Sequence, residues 1–252
     1  IEVDWVGGAS MGAIIAAGYA LGWSVEKLNQ LAVRFSDPKK LLDYTLPYAS
    51  LTATGRITKL LQELCGESQS EDAWRPFFCV SANLTRGEEQ LHTSGLIWEI
   101  VRASMAFPAV FAPILYQGDV LIDGGAANNV PVDRMRELCP TGTVIGVELS
   151  TSSPVNGQYN FGPSLSGWQV LFSRLNPFVK EIKAPSLVDV VGGIVYSNNR
   201  YRLNEVWRSA DLLVRVPVEA YGLLEFDKYR QIIDLGYQST REQLQGFTAR
   251  KI

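Results

Sequence analysis

The chain has 252 residues, 46% of them hydrophobic and 19% charged, with a formal net charge of −3. That is the composition of a single globular domain whose core needs no disulfide staples. It offers no basic excess to neutralise a phosphate backbone, which argues against nucleic-acid binding, and no apolar run of the ~18–20 residues that span a bilayer.

The three cysteines, Cys65, Cys79 and Cys139, are scattered and odd in number. This argues against a disulfide framework and for a reducing compartment. With one histidine, His92, and no paired-cysteine motif, no metal or cofactor is implied. The first residue is Ile and the chain opens inside a strand-like run, so the sequence reads as a piece of a longer protein whose leader or anchor is invisible here.

Taken in order, IEVDWVGG (1–8) reads as a buried strand ending in glycines, and MGAIIAAGYALG (11–22) as a helix of small residues. Residues 24–35 have helical spacing. Residues 55–66 form a short amphipathic helix closed by Gly66. Residues 76–95 read as two strands around TRGEE, and 96–106 as a helix halted by Pro108. Residues 119–133 give a strand, a glycine turn and a helix starting near Pro131; 142–149 is a continuous apolar strand of the parallel-sheet kind. Residues 151–166 are a Ser/Gly/Asn/Pro loop. Helical patterns follow at 185–205 and 227–247, with a strand at 211–218 between them. Alternating strands and helices predict an α/β fold with a mostly parallel sheet covered on both faces.

The stretch GGASMGA (7–13) sets Ser10 between Gly8 and Gly12 at a strand-to-helix junction. G-x-S-x-G in that context is a nucleophile elbow, with the helix N-terminus favouring negative charge beside the serine. The flanking glycines allow unusual backbone angles and remove Cβ atoms that would collide. The other reading is a turn whose small residues merely let helix and strand pack. A serine nucleophile needs a base. His92 lies in the predicted hairpin beside a charged turn, where a solvated surface role suits it, and no histidine follows the later acids as the α/β-hydrolase order requires. A carboxylate remains: Asp123 of LIDGG (121–125) ends a strand, as Ser10 follows one. Asp123 reads either as a turn cap or as the base; the two motifs together favour a Ser–Asp dyad.

GGASMG, RASMAFPAVFAP and LIDGGAANNVPVD together resemble the patatin-like phospholipase family, over most of the chain. SLSGWQVLFSRLNPFV and the region of LIWEIVRASM are similar to its neuropathy target esterase branch. The resemblance implies a three-layer α/β/α patatin domain over 1–252, incomplete at its N-terminus. It implies hydrolysis of (lyso)phospholipid esters through nucleophile Ser10, dyad acid Asp123, elbow glycines Gly8 and Gly12, and motif glycines Gly124 and Gly125. The Met11 backbone N–H is a candidate oxyanion donor. The family's glycine-rich oxyanion loop, G-G-G-x-[RK]-G, precedes the elbow and is absent from this sequence, so the chain alone is expected to be inactive. The resemblance also implies calcium independence and a place in the cytoplasm or on the cytoplasmic side of a membrane, the parent protein carrying any anchor outside this segment. A thioesterase or general esterase, and an inactive lipid-binding module, remain alternatives. MAFPAVFAPILY (105–116) is either an acyl groove or ordinary core. Residues 168–180, with Trp168, Phe172, Leu175 and Phe178 beside Arg174 and Lys180, form either an interfacial face or a surface helix. Asn128 and Asn129 either bond near the dyad or cap the next helix.

Overall fold

A computed structural model describes residues 2–37, 42–46, 48–151, 153, 155, 157–222, 225–245 and 247, with backbone alone at 206, 207 and 226. In chain order the elements are β1 (Val6–Gly8), α1 (Met11–Ala20), α2 (Val25–Phe35), β2 (Ser50–Thr52), α3 (Gly55–Cys65), β3 (Phe77–Asn83), β4 (Glu88–His92), α4 (Ile97–Ser104), β5 (Ala109–Phe111), β6 (Ile114–Tyr116), β7 (Asp119–Asp123), α5 (Val132–Leu138), β8 (Ile145–Ser150), α6 (Gly167–Leu175), α7 (Leu187–Ser209), β9 (Leu212–Pro217) and α8 (Tyr229–Leu244).

β3 is buried along its whole length and organises three layers. Side chains alternate across a strand. Phe77 and Cys79 therefore join Ala13 and Ile14 of α1 and Ile97 and Ile100 of α4 on one face. Phe78 and Val80 meet Met135 and Leu138 of α5 on the other. Met135 also touches the cluster of Val132, Val144 and Leu213, so α5 covers the β8–β9 pair as well, and α8 packs Ile232 and Leu235 on the opposite side of β9. The fold is the expected three-layer α/β/α class.

The strand pairing is mixed. The pairs β1–β3, β2–β5 and β8–β9 are parallel, while β3–β4, β3–β7 and β6–β7 are antiparallel. Tight turns join β3 to β4 and β6 to β7, and such turns permit only antiparallel neighbours. The register of β3 decides where the site lies. Cys79 has Gly8 on one side and His92 on the other; Ser81 has Gln90 on the β4 side and Asp123 on the far side. With β4 filling one edge, β1 and β7 must share the other. β1 runs with β3 and β7 against it, so their C-terminal ends point at each other across Val80.

The first strand is shorter than its apolar run. Residues 2–5 lie outside β1, whose ladder begins where the Val6 N–H meets Pro76 O at 3.1 Å. Pro76 has no N–H with which to extend the pairing. Elsewhere the expected helices and strands appear within a few residues of their predicted ends. Ser24 caps α2 by accepting the Lys27 N–H, and Gly66 closes α3 at φ 56°.

Candidate active site

The turn after β1 forces Ser10 to φ 53° and ψ −122°, a region that side chains rarely occupy. Holding a non-glycine residue there costs about 1–3 kcal/mol, so the surroundings must over-determine it. Two restraints are visible. Ser10 N–H donates to Ser104 Oγ at 3.0 Å, from a side chain fully buried in α4, and the Gly12 N–H donates to Ala9 O at 2.8 Å to start α1. Gly8 is sterically required: a Cβ there would lie 2.5 Å from the Gly12 carbonyl carbon. Gly12 differs from the expectation, because a Cβ there would meet nothing within 4 Å and its φ is negative. It leaves open room in the first turn of α1 rather than preventing a clash. Among the described residues nothing accepts the Met11 N–H, which stands free next to the serine.

Asp123 closes β7 and is 2% exposed. Its two oxygens do different things. Oδ2 accepts the Ser10 hydroxyl at 2.6 Å, and Oδ1 accepts the Gly125 N–H at 2.7 Å. The turn cap expected of Asp123 is present at Oδ1, and Oδ2 makes the contact with Ser10 that a dyad would need. Burial lifts the carboxyl from 3.8 to about 6, against the smaller opposing effect of the hydrogen bonds from Ser10 and Gly125. A weak base is thereby moved toward neutrality without losing its charge at pH 7. Gly124 is fixed by a close approach, since a Cβ would stand 2.2 Å from Val80 O.

Outside the turn, α7 reaches over the loop that follows Asp123. Asn198 Nδ2 donates to Ala126 O at 2.9 Å, and Arg202 Nη1 donates to Ala127 O. Arg202 also pairs with Asp133 at 3.3 Å, while Asn128 Nδ2 donates to Glu89 and to Asp133. Asn128 is therefore a brace between β4, the loop and α5, and does not touch the dyad. Asn129 Oδ1 lies 3.2 Å from where a Gly125 side chain would be. No spacing signal pointed to Asn198 or Arg202, which lie 72 and 75 positions from the carbonyls they hold. Ser104 was equally hidden inside RASM.

His92 corrects one expectation. It belongs to the hairpin but is 3% exposed, with Nε2 2.8 Å from Ser81 Oγ and the ring edge-on to Tyr116. The β4 register places it opposite Cys79, facing the core, and desolvation lowers its pKa to about 4. The charged turn that suggested solvation lies at the other end of the strand.

The patatin-like phospholipase family model matches residues 1–136. The chain belongs to the patatin-like phospholipase family. It is 31% identical, over 99% of its length, to the lysophospholipase NTE1 of Mycosarcoma maydis. It is also 31% identical, over 94% of its length in each case, to neuropathy target esterase sws of Drosophila melanogaster and to human patatin-like phospholipase domain-containing protein 6. The chain spans 13%, 17% and 18% of those three proteins. The patatin-like match ends within α5, so the α7 residues that grip the loop after Asp123 lie beyond it.

Proposed function

We propose that this chain carries a serine lipid acyl hydrolase site that cleaves carboxylic esters of phospholipids or lysophospholipids. The observation that carries the reading is the 2.6 Å hydrogen bond from Ser10 Oγ to Asp123 Oδ2 across the meeting point of β1 and β7. The name of the similar M. maydis protein, a lysophospholipase, supports a lysophospholipid as substrate, and the D. melanogaster and human names, an esterase and a phospholipase, support ester cleavage and a phospholipid.

Asp123 accepts the Ser10 proton as the oxygen attacks the ester carbonyl. The tetrahedral oxyanion forms beside the Met11 N–H and the α1 N-terminus, where donor groups and helix dipole favour it. Collapse expels the alcohol, which takes the proton back from Asp123. Water then attacks the Ser10 acyl ester, Asp123 again receives a proton, and release of the fatty acid returns it to Ser10. A single backbone donor is a thin oxyanion site. Each well-placed donor is worth about 10²–10³ in rate, so a longer chain that brings a glycine-rich loop to Met11 will turn over far faster than residues 1–252 alone. The substrate is taken from a membrane surface, although no helix among the described residues is long and apolar enough to cross a membrane.

The test is labelling with a serine-directed fluorophosphonate, with peptide mass spectrometry to find the adduct. Label on Ser10, lost in Asp123→Asn, is the expected outcome in the full-length protein. An unlabelled Ser10 in full-length protein would sink the reading and leave a lipid-binding module in its place. Cleavage of acyl-thioesters in preference to lysophospholipids would redirect it to a thioesterase.

A further inference from the structure

Helix α6 is built inside out. Its one buried residue is Ser173, whose hydroxyl donates to Val170 O and accepts the Ile182 N–H at 3.0 Å. Its large apolar side chains face solvent: Trp168 is 80% exposed, Phe172 58% and Leu175 74%, with Phe178 just beyond at 96%. Trp168, Leu171, Phe172 and Leu175 follow an i, i+3, i+4, i+7 spacing, the stripe that a helix normally turns toward a core. The next helix repeats the pattern. Leu187, Val190 and Ile194 of α7 are also exposed, again at helical spacing. Residues 181–183 connect the two stripes along the chain and are held by Asn160, which donates to Glu181 O and accepts the Lys183 N–H. An exposed apolar surface of this extent marks a docking site rather than a scatter of single residues.

The charges on this stretch choose the occupant. Arg174, Lys180 and Lys183 punctuate it, whereas the whole chain is net −3. Of the two acids in the same stretch, Glu181 stands 3.9 Å from Arg174 and Asp189 is occupied capping α7 through Ser186. Arg174 is thus paired, while Lys180 and Lys183 have no ion-pair partner among the described residues, and aromatic and aliphatic side chains set beside such lysines suit the headgroup region of an anionic bilayer. We infer that α6 and the first turns of α7 are the face that docks this domain on an anionic lipid surface. This rests on the proposed lipid hydrolase activity and adds the route to it. The inward side of α7 holds the loop after Asp123, so the helix that touches lipid is the helix that braces the site.

Vesicle co-sedimentation tests this, using the full-length protein in its Ser10→Ala form so that binding is read without turnover. Two vesicle types serve: phosphatidylcholine alone, and phosphatidylcholine with phosphatidylserine. Binding is expected to be stronger on the phosphatidylserine vesicles. The triple variant Trp168→Ser/Phe172→Ser/Leu175→Ser should lower vesicle affinity about tenfold or more. Removing Lys180 and Lys183 should cost about fivefold each, and only on the anionic vesicles. Phe178→Ser alone, at a loop position, repeats the apolar test where no helix can be perturbed. Unchanged binding in both apolar variants overturns the proposal. So does a parent that ignores vesicles, or a parent dimer that the triple variant splits, which would make this face a contact between copies. Fluorophosphonate labelling of the unmutated protein reports the hydrolase reading separately. A labelled Ser10 with unchanged vesicle binding sinks the docking face alone. An unlabelled Ser10 with lost vesicle binding sinks the chemistry alone.

Discussion

The two halves of the proposed dyad are held by opposite means. Ser10 is kept in a conformation its backbone disfavours, by one hydrogen bond to Ser104 and the start of a helix. Asp123 ends its strand with a negative φ (φ −47°, ψ 133°) and stores no left-handed strain, but its charge is disfavoured by burial. One side stores backbone strain and the other stores desolvation. Both would relax if the site were dismantled, which is the common trade of stability for function at active sites. The comparison predicts that removing the Asp123 charge stabilises the fold, whereas the strain at Ser10 is relieved only where its Cβ is removed.

The largest effect belongs to Asp123→Asn. With the base gone, ester hydrolysis should fall by about 10⁴-fold or more. The same change should raise stability at neutral pH. The native carboxyl titrates near 6 against an ordinary 3.8, so the folded state binds its proton more tightly than the unfolded state does. The penalty is absent below about pH 4, grows as pH rises through the native value, and is complete above it. Denaturant melts near pH 8 should show Asp123→Asn more stable by up to about 3 kcal/mol, with the gain vanishing near pH 4. A variant less stable than wild type at pH 8 would mean that the carboxylate is compensated in a way its burial does not reveal.

Much of this was legible in the residues. The elbow and the DGG turn are legible in their spacing, because a Cβ at Gly8 or at Gly124 would collide with backbone. The helices announced themselves through periodicity and caps such as Ser24 and Gly66. Strand direction did not, since an apolar run such as VLID reads the same whichever way its neighbour points. The tip-to-tip meeting of β1 and β7 emerges only from the register on β3. His92 differs from its expectation for a similar reason: the charged turn suggests solvation, whereas the pleat decides which face a strand residue takes. Ser104, Asn198 and Arg202 act through long-range contacts that leave no local pattern.

The bracing of the aspartate turn gives a smaller, sharper test. Asn198→Ala removes the donor to Ala126 O without touching the ion pairs of Arg202. The loop should loosen, water should reach Asp123, and kcat should fall about tenfold with KM little changed. With Asp123 as the proposed base, kcat/KM should fall as pH drops below about 6, and a wetter carboxyl should move that limb toward its ordinary value of 3.8. Arg202→Lys, which keeps charge but cannot bridge Ala127 O and Asp133 together, should shift the limb the same way. A limb near 6 invites assignment to the lone histidine, so His92→Asn is the control. With its pKa lowered to about 4 by burial, His92 is already neutral there, and the limb should stay in place. A limb that vanished with His92 would reassign the base.

The least effect, and the most direct probe of the elbow, compares two inactive variants with each other. Ser10→Ala and Ser10→Gly both delete the hydroxyl and its bond to Asp123, so that loss cancels between them. They differ in the Cβ, which is what makes φ 53°, ψ −122° costly. Glycine tolerates that conformation but gives the unfolded chain more freedom, so the two effects oppose each other. If the strain is the larger, Ser10→Gly should be the more stable by roughly 1 kcal/mol in paired denaturant melts. Equal stabilities would put the strain no higher than the entropy difference. The bond to Ser104 would then be keeping a favourable turn, and the stored energy of the site would lie wholly on the aspartate side.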